Sequence, residues 1–176
     1  MSEAEQTRIW RPGRPVAVAA TIGLLRHGPR DPAYVAADDG AHWRASVTPE
    51  GPATIRITSR PDAGEVEGAA WGPGATWALE TMPRLLGAED DTTGFEPRHD
   101  LIRAAARRFA GWRVPRTGLV LESLAPAAVE QLVTGQEAFS SWRRLLLRFG
   151  RPAPGPVEAL GLRVPPTAQE WAGIPS

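Results

Sequence analysis

Residues 53–58 read Ala-Thr-Ile-Arg-Ile-Thr, and this stretch decides the fold class. Apolar and polar residues alternate along it and most of its side chains are β-branched, which is typical of a strand with one buried face. We predict further strands at 34–36, 43–47 and 65–71. The segments between these strands contain Asp38-Asp39-Gly40, Pro49-Glu50-Gly51-Pro52 and Asp62-Ala63-Gly64. Aspartate-glycine and proline-glycine pairs at this spacing favour hairpins, so we expect an antiparallel meander.

The segments on either side of this sheet extend it with other elements. Upstream, Val and Ala alternate over residues 15–20 and predict a strand, which one helical turn over 21–26 follows. Downstream, apolar residues recur at helical spacings from Trp77 to Leu86, and Gly87 is a usual residue at a helix C-terminus. We predict one helix here, packed against the sheet.

An acidic stretch, residues 89–94, separates this part from a helical one. The hydrophobic period changes after it, so we predict two domains, 1–92 and 93–176. The expected fold class is α+β: an N-terminal antiparallel sheet with packed helices, followed by helices alone.

Three helical patterns follow the boundary. The first has apolar residues on one face from Leu101 to Phe109 and arginines on the other. The second predicts a helix with one buried apolar stripe. Pro126 lies off this stripe, where it either kinks the helix or marks the start of a new one. The members of the stripe are Leu121, Leu124, Ala125, Ala128, Val129 and Leu132. The third runs from Ala138 to Phe149 with a stripe through Trp142, Leu145 and Leu146.

Two capping boxes fix where helices begin. Thr134 and Glu137 form one at the start of the third helix, so two helices meet at a corner at Val133-Thr134. Thr167 and Glu170 form the other, close to the end of the sequence. Because so short a helix is marginal without packing partners, we expect that the sequence stops inside a domain.

Composition excludes several classes of protein. The 176 residues carry no net charge and have no Cys, so a surface that is basic throughout and thiol chemistry are both excluded. No apolar run is long enough for a membrane span, and the acidic N-terminus is not that of a signal peptide, so we expect a cytoplasmic protein without membrane contact. His27, His42 and His99 lack the spacing of metal ligands and are expected at the surface or in turns. No phosphate-binding glycine loop occurs either. Together, these two observations lead us to expect neither a metal nor a cofactor.

Two features leave a structural and a functional interpretation open. Arginines cluster over residues 98–116 and again over 143–151, where they form either a solvated helix face or a phosphate-contacting surface. Five of the seven tryptophans fall on apolar or strand positions, which favours core packing over an aromatic slot for a nucleobase. These five are Trp43, Trp71, Trp77, Trp112 and Trp142.

An ordered series of short motifs covers nearly the whole chain. The motifs are Arg11-Pro12-Gly13-Arg14-Pro15, Leu25-Arg26-His27-Gly28-Pro29-Arg30-Asp31-Pro32, Glu50-Gly51-Pro52-Ala53-Thr54, Trp71-Gly72-Pro73-Gly74-Ala75, Gly118-Leu119-Val120-Leu121-Glu122, Glu130-Gln131-Leu132-Val133-Thr134-Gly135 and Val164-Pro165-Pro166-Thr167. Together they resemble the DNA-3-methyladenine glycosylase II family of actinobacterial type, within the helix-hairpin-helix DNA glycosylase superfamily. The resemblance implies that the chain comprises the N-terminal α+β domain of that family and the first helices of an incomplete all-α glycosylase domain.

The resemblance also implies an activity and its site. Members of this family flip alkylated purines out of duplex DNA and hydrolyse the N-glycosidic bond in base excision repair. The Gln-Leu-Val segment matches residues 131–133, so Leu132 would be the wedge that fills the gap left by the flipped nucleotide. From spacing alone Leu132 belongs to the core stripe. The candidate DNA contacts are Gln131, Leu132, Thr134, Arg107 and Arg108.

The family's Leu-Pro-Gly-x-Gly hairpin and the catalytic aspartate beyond it have no counterpart in this sequence, in which Asp100 is the last aspartate. We therefore assign no catalytic residue and expect no catalysis from this chain alone. Three hypotheses follow. The chain is part of an alkylation-repair glycosylase that acts on damaged duplex DNA, a non-catalytic module that binds DNA or a partner, or a remnant that associates because Leu145, Leu146 and Phe149 lack neighbours.

Overall fold

Five strands form one antiparallel sheet, and four of them lie where the sequence predicts strands. The computed structural model describes residues 4–131 and 133–174. The strands are β1 (Gln6–Trp10), β2 (Tyr34–Ala36), β3 (His42–Thr48), β4 (Gly51–Arg60) and β5 (Glu65–Trp71). Their order across the sheet is β1-β5-β4-β3-β2, so β2 to β5 form the predicted meander. β1 was not predicted because it is an edge strand with mostly exposed side chains, and it lacks the alternation that marks a buried face.

The strand predicted over residues 15–20 is wrong. A short helix, α1 (Val18–Ile22), begins inside that stretch, and a single 3₁₀ turn over Gly23–Leu25 follows it. Val18, Thr21 and Ile22 are buried at a spacing of i, i+3 and i+4, which is the helical period. Alternation of Val with Ala does not distinguish a strand from a helix, because Ala is compatible with either period.

The main core lies between the sheet and α2 (Ala75–Leu85), the helix predicted to pack there. Met82 is fully buried and belongs to one apolar cluster with Ile57 and Val66 of the sheet. Val18 and Ile22 of α1 belong to the same cluster. Burial of this kind contributes on the order of 25 cal/mol per Å² of apolar surface, so this core is a main source of stability for the sheet.

The chain beyond α2 is mainly helical. It contains α3 (Asp100–Arg108), α4 (Val120–Glu130), α5 (Gly135–Phe149) and α6 (Ala168–Ala172), together with a two-residue ladder of β6 (Arg151–Pro152) and β7 (Arg163–Val164). The predicted α+β class is confirmed. The amide of Arg163 donates to the carbonyl of Pro32 at 2.7 Å, and the amide of Ala17 donates to the carbonyl of Gly111 at 2.9 Å. The domain boundary between residues 92 and 93 stays a prediction.

The stripe predicted in α4 is not buried as expected. Leu124 is 59% exposed and Ala128 is exposed, whereas Pro126 is the residue that α4 buries. Leu121, Ala125 and Val129 are half-buried, and residue 132 lies outside the described part of the chain. The helix continues through Pro126, which therefore does not mark a restart. The helical period was correct, but periodicity does not show which face meets the rest of the protein.

The stripe in α5 is buried, as predicted. Trp142 is 2% exposed and Leu146 is fully buried, while Leu145 and Phe149 are half-buried. The prediction that Leu145, Leu146 and Phe149 lack neighbours is wrong, because α5 packs against α4 and β7. In α3, by contrast, the apolar face is exposed, with Leu101 at 70% and Phe109 at 52%.

Candidate nucleic-acid interface

The corner between α4 and α5 projects its described residues to solvent. Gln131 caps the C-terminus of α4, with its amide donating to the carbonyl of Ala127 at 3.1 Å. Gln131, Val133 and Thr134 are all exposed. The structure therefore brings two of the predicted DNA contacts, Gln131 and Thr134, to one exposed turn. The predicted wedge, Leu132, lies outside the described residues, and its role stays a prediction.

A capping box holds the start of α5 at this corner. The carboxylate of Glu137 accepts from the backbone amide of Thr134 at 3.1 Å and from its hydroxyl at 2.8 Å. These two hydrogen bonds lower the pKa of Glu137, because they stabilise its charged form. The predicted box is confirmed. The amide and the hydroxyl of Thr134 are therefore both bonded within the chain, so a ligand can contact only the exposed remainder of this residue.

Arg107 and Arg108 are not joined to the corner. Both are exposed in the last turn of α3, and the guanidinium of Arg108 lies 5.5 Å from the ring centre of Phe109. Among residues 4–131 and 133–174, no hydrogen bond or ion pair connects α3 with α4 or α5. Within the described residues, the predicted DNA contacts on α3 and those at the corner are therefore not linked by any hydrogen bond or ion pair.

A cleft of about 300 Å³ lies beside the corner, and the sequence analysis did not identify it. The loop that follows α1 and its 3₁₀ turn forms one wall, and a face of α5 forms the other. Its polar and aromatic lining residues are His27, Arg30, Gln136, Phe139, Ser140 and Arg143. Among them only Arg143 belongs to a cluster that the sequence marked, because the loop and the helix are remote in the chain.

One buried carboxylate ties the two walls of this cleft together. Asp31 is 5% exposed, and its Oδ1 accepts from the indole Nε1 of Trp142 on α5 at 3.1 Å. The same oxygen accepts from the amide of Ala33 at 3.0 Å, and Oδ2 accepts from the amide of His27 at 2.8 Å. Three donors on two segments thus share one acceptor group, which fixes the loop against the helix.

A second link between the sheet and the helices is the ion pair of Arg44 on β3 with Glu122 on α4. Both side chains are largely buried, at 9% and 13% exposure. Burial lowers the pKa of Arg44 to about 10, so its guanidinium stays charged at neutral pH. Oε2 of Glu122 is buried without a hydrogen-bond partner among the described residues. A buried charge pair is costly to break, so Glu122 has a structural role here.

Four of the tryptophans form two stacked pairs. The rings of Trp43 and Trp71 stack with centres 5.4 Å apart, and Trp142 stacks at 6.1 Å on Trp171, beside a mostly apolar pocket of about 300 Å³. Core packing is thus confirmed for the buried Trp71 and Trp142, whereas Trp112 is 37% exposed.

The prediction of a surface or turn position is wrong for His42. It is 9% exposed, lies in β3 and hydrogen-bonds through Nδ1 with the hydroxyl of Tyr34 at 2.7 Å. Burial lowers the pKa of His42. In the part of the chain that the structure describes, no three His, Asp or Glu residues form a group that suits a metal ion. No helix within those same residues has the length and apolar character to cross a membrane.

Comparisons with known proteins support the fold at the level of structure. No protein-family model and no curated protein matches the sequence. Among solved structures, the chain is similar to the apo form of an 8-oxoguanine glycosylase/lyase from Clostridium acetobutylicum, with a TM-score of 0.67 and 9% sequence identity. The match covers 99% of this chain and 58% of that protein. The chain therefore spans little more than half the length of that protein, and over that length the two share one fold.

Proposed function

We propose that this chain forms the DNA-binding scaffold of a base-excision DNA glycosylase. Its substrate would be duplex DNA that contains damaged bases, and the sequence resemblance favours alkylated purines of the kind removed by the DNA-3-methyladenine glycosylase II family. A cytoplasmic location, expected from the sequence, is part of the same proposal. The chain would bind the duplex through the corner between α4 and α5.

The observation that carries this proposal is that nearly the whole chain follows the fold of a DNA glycosylase while the corner remains exposed. Gln131, Val133 and Thr134 stand at the tip of two helices, a position from which side chains reach into a groove. An apolar residue that enters DNA at such a tip supports the gap left by an extruded nucleotide. In the sequence, Leu132 stands between Gln131 and Val133, where the family's motif has its wedge.

The described carboxylates favour a second candidate, a module that binds DNA without cutting it. Five carboxylates follow Asp100. Glu122 pairs with Arg44, Glu130 pairs with His27, and Glu137 and Glu170 cap helices. The fifth, Glu158, is exposed in a 3₁₀ turn. Glycosidic cleavage requires a carboxylate that faces the cationic sugar of the transition state. Four of these groups are already engaged in caps and ion pairs, and none of the five matches the family's catalytic aspartate, so we expect that the chain by itself releases no base.

Binding to fluorescein-labelled duplexes tests the DNA binding that both candidates share. One duplex is intact and the other carries a tetrahydrofuran abasic analogue, and anisotropy is measured at low salt, where phosphate contacts are strongest. We expect tighter binding to the abasic duplex. Leu132→Ala removes this preference, whereas the matched control Leu124→Ala on the exposed face of α4 retains it.

Two results would contradict the proposal. One is an absence of duplex binding at low salt, and the other is an equal effect of Leu132→Ala and Leu124→Ala. Release of 3-methyladenine from alkylated duplex DNA by the purified chain would exclude the non-catalytic module and retain the glycosylase.

A further inference from the structure

The cleft beside the corner combines cationic and aromatic walls in one small space. Arg30 belongs to the loop wall and Arg143 to the α5 wall. Neither arginine forms an ion pair within residues 4–131 and 133–174. None of the lining residues is acidic. Two carboxylates adjoin His27: Oδ2 of Asp31 accepts from its amide at 2.8 Å, and Oε1 of Glu130 lies 3.2 Å from its Nδ1. The cleft thus presents two guanidinium groups that no described carboxylate pairs with, and such groups suit phosphate oxygens.

The aromatic wall is Phe139, which is 36% exposed. Its ring lies directly against the backbone of Gly28, where an added Cβ would stand 2.7 Å from both Cβ and Cγ of Phe139. Gly28 has a φ of 85°, a conformation that favours glycine. The glycine therefore holds the ring at the wall of the cleft and leaves its remaining surface to a ligand.

The cleft is formed before any ligand binds. The loop wall is fixed to α5 by the three hydrogen bonds of Asp31 described above, one of which comes from Trp142 at 3.1 Å. A volume of about 300 Å³ lies at the lower end of the range for small-ligand sites. Preformed walls lower the entropic cost of binding, because the protein does not have to be ordered by the ligand. A single planar group that enters between the walls therefore binds more tightly than it would to a mobile site.

We propose that this cleft receives one unstacked nucleotide of a distorted duplex, with its base on Phe139 and its flanking phosphates on Arg30 and Arg143. This inference rests on the proposed function, because it needs the corner to hold DNA next to the cleft. Gln136 and Ser140 line the same cleft and supply amide and hydroxyl groups to the edge of the base. A planar base on an aromatic ring and guanidinium groups on phosphates are the two contacts on which unpaired nucleotides depend.

The test uses the full chain and two labelled duplexes, one fully paired and one with a single bulged thymidine. For the unaltered chain we expect binding to both and a preference of about fivefold or more for the bulge, the effect of one base stack. Arg30→Gln with Arg143→Gln lowers affinity for both duplexes by about tenfold or more, since it removes two charge-assisted contacts. It also reduces the slope of log affinity against log salt concentration by about two.

The control variant is Arg11→Gln with Arg60→Gln, which removes the same charge from surface ion pairs remote from the cleft. We expect a smaller change in its affinity and an unchanged preference for the bulge. Phe139→Leu keeps an apolar side chain and removes the stacking surface, so it should abolish the preference for the bulge while paired-duplex affinity stays the same. Circular dichroism checks that each variant is folded.

The outcomes separate the two proposals. If the unaltered chain binds neither duplex at low salt, the proposed function and the cleft both fail. If it binds but the double variant of Arg30 and Arg143 behaves as the control does, or Phe139→Leu retains the bulge preference, the cleft proposal alone is overturned.

Discussion

Replacing Asp31 with Ala tests how the sheet and the helices are held together. The side chain is 5% exposed, and it accepts hydrogen bonds from the amides of His27 and Ala33 and from the indole of Trp142. Its removal leaves three donors without their acceptor, each at a cost of about 1–3 kcal/mol. Partial rehydration of the site reduces the sum, so we expect a loss of about 3–5 kcal/mol in the free energy of unfolding.

Urea unfolding followed by far-ultraviolet circular dichroism measures this loss, and thermal unfolding gives a second value. For a chain of this size, the expected destabilisation corresponds to a fall in Tm of roughly 6–20 °C. Asp38→Ala is the matched control, because Asp38 is exposed. We expect it to change the free energy of unfolding by less than about 0.5 kcal/mol.

Asp31→Asn refines the test. The asparagine amide keeps one acceptor oxygen, which retains the hydrogen bonds made to that position. Its NH₂ group replaces the other carboxylate oxygen and cannot accept. Its destabilisation should therefore lie between those of Asp31→Ala and the control. A loss below about 1 kcal/mol for Asp31→Ala would refute the reasoning, because one buried and two half-buried donors cannot lose their acceptor at so small a cost.

Three further substitutions probe a helix cap, a close contact and a buried stripe. Because Glu137 has a lowered pKa in the folded state, its cap stabilises the protein above the ordinary value of 4.5 and loses that effect as the pH falls through the folded pKa. The difference in the free energy of unfolding between Glu137→Gln and the unaltered chain should therefore disappear when urea unfolding is measured at progressively lower pH. Gly28→Ala meets an aromatic ring at 2.7 Å, whereas Gly40→Ala, at a similar positive φ, has no atom within 4 Å. Unfolding measurements should show that Gly28→Ala destabilises the protein by about 1 kcal/mol more than Gly40→Ala does. Leu146→Ala empties a fully buried site and should cost about 2–5 kcal/mol, and Leu147→Ala, at 40% exposure, should cost less than about 1 kcal/mol; equal losses would contradict the burial of the stripe.

The sheet was predictable where one face of a strand is buried. Residues 53–58 alternate because Ile55 and Ile57 face the core while Arg56 does not, and the same segment forms the centre of β4. Turn residues between the strands then fixed their pairing. The edge strand β1 carries no such signal, because its stability comes from pairing with β5 and not from its own pattern.

The helical part shows what periodicity leaves open. The spacing in α4 correctly predicts a helix, but the buried face is centred on Pro126 and not on Leu124. Which face is buried depends on tertiary neighbours such as Arg44, whose partner Glu122 lies on that helix. Periodicity in one segment contains no information about those neighbours.

The candidate site was predictable only in its local part. The corner follows from the capping box of Thr134 and Glu137, whose members are three residues apart. The cleft depends on contacts such as that between Asp31 and Trp142, which are 111 residues apart in the sequence. No local pattern predicts such a contact, so Arg30 and Phe139 become candidates only when the fold is known.

The most direct test of the DNA-binding account is an amide chemical-shift titration of the ¹⁵N-labelled full chain with an abasic duplex. The account predicts that the largest shifts fall on residues 130–136 at the corner and on 27–30 at the neighbouring loop. Shifts confined to the edge strand β1 and its neighbour β5, or no shifts at low salt, would contradict it.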